Sequence, residues 1–214
     1  MKVVVAGASG ALGRALVPQL IAAGHAVIGL SRSTGGAERI DAAGAQAVVA
    51  DVLDGPGLLR VLAGVRADAV LHEATAIDGM PFLHRHLYPT DALRDRGTAN
   101  LLRAAEQLGA RRFVTQSFFL GYGYRDHGPE PVTEERSFAP LAGDAFDVHM
   151  RSMRIHAPRT TIDAAASTIT SCTKRDVRGI GPITEFVLPS DVGASRAPGA
   201  RTRSEHPTVA APRT

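Results

Sequence analysis

The chain has 214 residues, of which 44% are hydrophobic and 21% charged, with a formal net charge of +3. That length and balance suit one domain with a true core and are those of an ordinary soluble protein. No apolar run reaches the roughly 20 residues that span a bilayer, and a lone cysteine, Cys172, excludes an internal disulfide and fits a reducing compartment. With no signal-peptide layout at the N-terminus, the expected setting is cytoplasmic and off the membrane.

The positive charge is unevenly spread. Residues 1–150 hold 14 Lys+Arg against 16 Asp+Glu, while residues 151–214 hold 10 against 5. The stretch that reads as folded is slightly acidic. A nucleic-acid partner needs a basic face on a fold, so none is expected.

In chain order, "KVVVAG" is a continuous apolar run ending in glycine, the pattern of a strand buried on both faces of a parallel sheet. A helical period follows from Ala11, with Leu12, Ala15, Leu16 and Leu20 on one side, and Gly24 stops it. "HAVIGL" predicts a second strand, Ala37–Ala43 a short helix and "AQAVVAD" a third strand. "PGLLRVLAG" predicts another short helix and "ADAVLHEA" a fourth strand. A long helix is predicted from about Pro89 to Leu108, with Gly109 as its C-cap, before a fifth strand, "RRFVTQS". Strand and helix alternating this way predict a parallel sheet with right-handed crossovers.

After Ser117 the order fades. "GPEPVTEERSFAPLAG" is loop by its prolines and glycines, and "DAFDVHMRSMR" can form one helix. From about Ile155 no sustained period remains, and Phe186 is the only Phe, Trp or Tyr. "GPITEFVLPS" can supply one strand, and the final residues read as disordered. The expected division is therefore a folded domain over 1–154 and an irregular tail over 155–214. An altered reading frame in a GC-rich gene or a divergent extension would each produce that change in composition.

The strongest chemical signal is "AGASGALG", between the first strand and the first helix. Gly7 permits the turn, Gly10 lets the backbone approach a diphosphate, and Gly13 lets the helix pack on the sheet. A diphosphate would rest on this loop, which also holds Ala8, Ser9, Ala11 and Leu12, against the positive end of the helix. At the end of the second strand, where an acidic residue would select NAD, stands "SRS". Arg32 can pair with a 2′-phosphate, assisted by Ser31 or Ser33, which points to NADP with NAD as the alternative. A solvated surface arginine is the other reading. Asp51, followed by Val52, falls near the adenine edge, or is an ordinary loop carboxylate. In "HEATA", small residues leave room for a nicotinamide, and His72 reads as a packed or capping histidine. His84 and His86 lack a third nearby ligand, so no metal is expected.

Together "GASGALG", "ADVLD", "LHEATA", "RGTANLLRAAEQLGARRFV" and "TQS" resemble the short-chain dehydrogenase/reductase superfamily, in its extended or atypical, NAD-dependent epimerase/dehydratase-like branch. The resemblance covers about residues 1–154. It implies an α/β fold, a Rossmann-type doubly wound parallel sheet, here incomplete at its C-terminal side and followed by an irregular tail. It implies an NAD(P)-dependent oxidoreductase or epimerase acting by hydride transfer on a sugar-like, carbonyl or alcohol substrate. Its cofactor residues carry over to Gly7, Gly10, Gly13, Asp51 and Ala74, and its active-site Ser/Thr to Ser117.

The departures are chemical. The family's Tyr-x-x-x-Lys pair, whose lysine lowers the tyrosine's pKa, is missing: the only lysines are Lys2 and Lys174. Phe146 and Met150 hold the matching spacing. Tyr122 or Tyr124 could substitute from a loop, or both pack at a rim. The further strands of a substrate pocket are also missing. A weakened enzyme, a non-catalytic NADP-binding regulatory module and an inactive truncated product are the alternatives, with self-association expected through an uncovered sheet edge.

Overall fold

The computed structural model describes residues 1–77, 79, 83–116, 119–123, 125–133, 136–159 and 183–187. Five strands pair in parallel: β1 (Lys2–Ala6), β2 (Ala26–Ser31), β3 (Gln46–Val49), β4 (Ala69–His72) and β5 (Arg112–Gln116). Their order is β3-β2-β1-β4-β5, so the chain winds outward from β1, returns, and continues from β4. The direction reverses between β1 and β4, where ligands bind in open α/β sheets.

Alternation along β1 explains the two covered faces. Val4 and Ala6 join Leu58 of α3 (Gly55–Val61), Leu101 of α5 (Thr98–Leu108) and Phe113 in one core cluster. Val3 and Val5 join Val17 of α1 (Ala11–Ala22) and Ile40 of α2 (Thr34–Ala42) in the other. Both faces of β1 are dry, which is why its sequence is apolar without interruption. This is the parallel sheet that the alternating pattern predicts, in the Rossmann-type doubly wound form that the resemblance implies.

Several boundaries differ from the sequence reading. Helix α2 begins three residues early, because the Ser33 side chain accepts a hydrogen bond from Gly36 N–H at 3.1 Å and caps it. A Cβ on Gly36 would lie 2.0 Å from Ser31 Oγ, so the glycine lets the helix start against the end of β2. The helix predicted over 89–108 is α4 (Tyr88–Ala92) and α5 joined by a π turn, Leu93–Gly97. Gly109 closes it in the left-handed region, φ +70°, as a C-cap. Helix α6 (Asp147–Arg159) starts where the Asp147 carboxylate accepts from the N–H groups of Ala142 and Gly143, and it runs past residue 154.

The strand that "GPITEFVLPS" can supply is present at the sheet edge. β6 (Ile183–Val187), from "ITEFVL", pairs antiparallel to β5 with Phe186 in register with Phe113. Otherwise the tail, residues 160–182 and 188–214, lies outside the described residues. Among the described residues no helix is long and apolar enough to cross a membrane.

Candidate functional site

The glycine loop forms a cradle. Gly7 leaves β1 at φ +86°, a conformation that favours glycine, and its carbonyl accepts from Gly10 N–H at 2.9 Å. A Cβ on Gly7 would meet Glu73 and Ala74 backbone atoms at 2.7 Å, so the turn is pressed against the end of β4. A Cβ on Gly13 would lie 2.3 Å from Gly7 O and 2.4 Å from Ala8 O, which fixes Gly13 as a packing glycine. Gly10 differs: its Cβ would meet only Gly7 O, at 3.1 Å, and otherwise face open space. No side chain caps α1 and no acidic residue stands in its first turn. Its first N–H groups and the positive end of its dipole are thus left to an anion.

Above this turn lies a cleft of about 540 Å³. Nine of the sequence-derived cofactor residues line it: Gly7, Ser9, Gly10, Ala11, Leu12, Ser31, Arg32, Val52 and Ala74. Ala8 and Gly13 pack beneath it. Asp51 stands outside the lining, where its carboxylate accepts from Leu53 N–H at 2.9 Å, while Ala50 and Val52 form the wall. On the β2 side, Ser31 is buried and hydrogen-bonded within its own turn, and Arg32 is exposed at the cleft margin with Arg39 nearby. An uncapped helix start, a glycine at the point of closest approach and an arginine beyond β2 fit the diphosphate and adenosine half of a dinucleotide.

The β4 end supplies two residues of opposite polarity. His72 is 3% exposed, its Nε2–H donates to Leu93 O of the π turn at 3.1 Å, and its Nδ1 accepts from Ala74 N–H at 3.4 Å. Burial is the main cause that lowers its pKa to about 4, so it is neutral at pH 7. His72 therefore locks the π turn to β4, the packed role expected, and the turn presents Leu93 to the cleft. Glu73 was not anticipated. It lines the cleft, is 6% exposed, and neither carboxyl oxygen has a hydrogen-bond partner among the described residues. Burial raises its pKa to about 7. The signal was a carboxylate at the end of an apolar strand.

The catalytic candidates stand differently. Ser117 and Tyr124 lie outside the described residues. Tyr122, in a 3-10 turn, is half-buried and packs edge-on against Phe138, with ring centroids 5.4 Å apart, and it does not line the cleft. Phe146 and Met150, in the places of the missing pair, belong to a small apolar cluster with Ala139 and Met153. Beside that cluster lies a polar core the sequence did not reveal. Asp91 accepts from Ser152 Oγ at 2.7 Å and pairs with His149, whose Nε2 lies 3.1 Å from His84 Nδ1. Among the described residues, no three His, Cys, Asp or Glu side chains group as metal ligands would.

The chain belongs to the NAD(P)H-binding family, which it matches over residues 7–151. Among curated relatives it is similar to a 3-diazoavenalumate denitrifying reductase of a Streptomyces species, 40% identical over 151 residues, covering 69% of this chain and 46% of the relative. Among solved structures it is similar to a short-chain dehydrogenase/reductase superfamily protein from Agrobacterium tumefaciens with bound NAD. That match has 26% identity and a TM-score of 0.59, and covers 79% of this chain and 48% of the other. A Thermus thermophilus UDP-glucose 4-epimerase in complex with NAD shares the fold, with a TM-score of 0.61 at 23% identity over 76% of this chain and 50% of its own. The chain spans about half the length of these relatives.

Proposed function

We propose that the chain is the dinucleotide-binding part of an NAD(P)H-dependent oxidoreductase of the extended short-chain type, with NADP preferred to NAD. The observation that carries this is the uncapped start of α1, opening through Gly10 into the cleft. Gly7, Gly10 and the first N–H groups of α1 would hold the diphosphate, and Arg32 the adenosine end. A bound dihydronicotinamide supplies the hydride. His72 fixes the π turn, and Leu93 and Ala74 form the apolar wall that keeps water from the reacting end. Titration of NADH and NADPH fluorescence against the wild type and Gly10→Val tests the site. Micromolar-range binding by the wild type and its loss in the variant support it; equal affinities refute it.

A narrower reading concerns the substrate. Reduction of a ketone leaves an alkoxide that must be protonated, the task of the missing tyrosine and lysine. At a carbon bearing a diazonium group, hydride adds and dinitrogen leaves with the C–N bonding pair, so no oxygen needs a proton. Phe146 and Met150, which cannot protonate an alkoxide, favour such a substrate, as does the similarity to a denitrifying reductase. Consumption of NADPH with an aryl diazonium, but not with a panel of ketones and sugars, would support this choice; the reverse pattern refutes it. A non-catalytic NADP-binding regulatory module is the remaining reading, and it predicts binding without turnover of any of these.

A further inference from the structure

The diphosphate cradle and a buried carboxyl of the cleft, that of Glu73, share a wall. Glu73 follows β4 directly, and its backbone carbonyl is among the atoms, with Ala74 N, that a Cβ on Gly7 would strike at 2.7 Å. Glu73 lines the same cleft as Ser9 and Gly10. Both carboxyl oxygens are cut off from solvent and lack a hydrogen-bond partner among the described residues. A buried polar group without a partner is costly, and structures tolerate one where a ligand completes it. A dinucleotide would complete it at a price in charge, since its diphosphate is anionic and a carboxylate beside it repels.

We infer that Glu73 contacts the bound dinucleotide as a neutral carboxylic acid, so that the cleft takes up a proton when the anionic cofactor enters. The acid form donates a hydrogen bond to a phosphate or ribose oxygen, which the carboxylate cannot do. In the empty cleft, burial holds the carboxyl half-protonated near pH 7. An added anion pushes its affinity for the proton higher still.

Among the described residues, the surrounding charges leave this role to Glu73. From the β2 and α2 side come Arg32 and Arg39, which the sheet order places across β1 from β4. From the α4 side comes Arg94, 3.8 Å from Asp91, which is itself tied to His149 and Ser152. Arginine keeps its charge across the neutral range. Below Glu73, His72 is already neutral. β5 contributes Gln116, which does not titrate.

The inference rests on the cofactor reading, and the test separates the two. NADH serves as probe, because it lacks the titrating 2′-phosphate of NADPH. Its affinity is measured by fluorescence from about pH 6 to pH 9 for the wild type and Glu73→Gln. The expected result is wild-type affinity that weakens by up to about tenfold per pH unit above neutrality, and a variant whose affinity stays level and exceeds the wild type's at the alkaline end. Calorimetry of the wild type alone, at about pH 8 in buffers of different ionisation heat, should count close to one proton taken up per NADH bound. That measurement stands even if the variant fails to fold. Equal pH dependence in both proteins, or binding without proton uptake, overturns the role of Glu73 and leaves the cofactor site intact. Failure of every protein to bind NADH or NADPH at any pH overturns both.

Discussion

Asp91 and His149 lie 58 residues apart in the chain and meet inside the fold, carboxylate oxygen Oδ2 to ring nitrogen Nδ1. His149 is fully buried, and Ser152, one turn along α6, fills the other oxygen of the same carboxylate. The pair is the polar clasp between α4 and α6. Removing one partner leaves the other buried and unsatisfied. Asp91→Ala is therefore expected to cost about 3 kcal/mol or more. His149→Ala should cost a similar amount, and the double variant much less than the sum. Urea denaturation measures all three. A loss below about 1 kcal/mol for Asp91→Ala would show that the clasp contributes little.

Gly10 and Gly13 belong to one motif but should respond in opposite ways. An alanine at 13 drives its methyl into the backbone of Gly7 and Ala8, which cannot move without shifting β1 or α1. The expected cost is about 2 kcal/mol or more. An alanine at 10 meets only one carbonyl, at 3.1 Å, in an extended conformation that any residue adopts. Its stability should stay within about 0.5 kcal/mol of the wild type. Thermal melting of both variants decides the matter: equal destabilisation would mean that Gly10 too is a packing glycine.

The parts legible in the sequence are those set by local rules. "KVVVAG" and the glycine triplet identify β1, the turn and α1, because a strand dry on both faces and a close diphosphate approach each demand particular residue types. The start of α2 was less legible, since Gly35 and Gly36 argue against helix until the contact with Ser31 is seen. The π turn was hidden for a similar reason: nothing in "LRDRG" announces it, and the His72 bond that accompanies it comes from 21 residues away. The Asp91–His149 clasp depends wholly on tertiary contact. Glu73 was readable as an oddity, a carboxylate at an apolar strand end, but its lack of partners is a property of the fold.

Arg32 should set the cofactor preference. It is exposed at the cleft margin, where the adenosine ribose is expected, and among the described residues no acidic side chain lines the cleft on that side. A charge-assisted contact to the 2′-phosphate is worth about 1.5–3 kcal/mol, or tenfold and more in affinity. NADPH should therefore bind more tightly than NADH, and Arg32→Ala should erase most of the difference by weakening NADPH alone. Parallel titrations of both cofactors provide the measurement. Equal wild-type affinities, or a preference for NADH, would assign Arg32 to the solvated surface.

His72 and Glu73 should give the apoprotein a stability plateau bounded by two different groups. Burial lowers the pKa of His72 from 6.5 to about 4. The unfolded chain takes up that proton first, so stability falls as the pH drops through this window. Burial raises the pKa of Glu73 from 4.5 to about 7. Here the folded chain holds the proton longer, so stability falls as the pH rises through that window. Between pH 4.5 and 6.5 the two slopes oppose and nearly cancel. Below that interval His72 dominates, and from there up to about pH 7 Glu73 does. Each full loss is on the order of 3 kcal/mol. Glu73→Gln keeps the shape and removes the upper loss. It should be more stable than the wild type at about pH 8, by up to about 3 kcal/mol, and the advantage should shrink steadily toward pH 4.5. Urea denaturation of both proteins across this range reads the difference directly. A variant less stable than the wild type at the alkaline end would mean that the fold stabilises the Glu73 carboxylate, and the buried-acid account of this residue would fail.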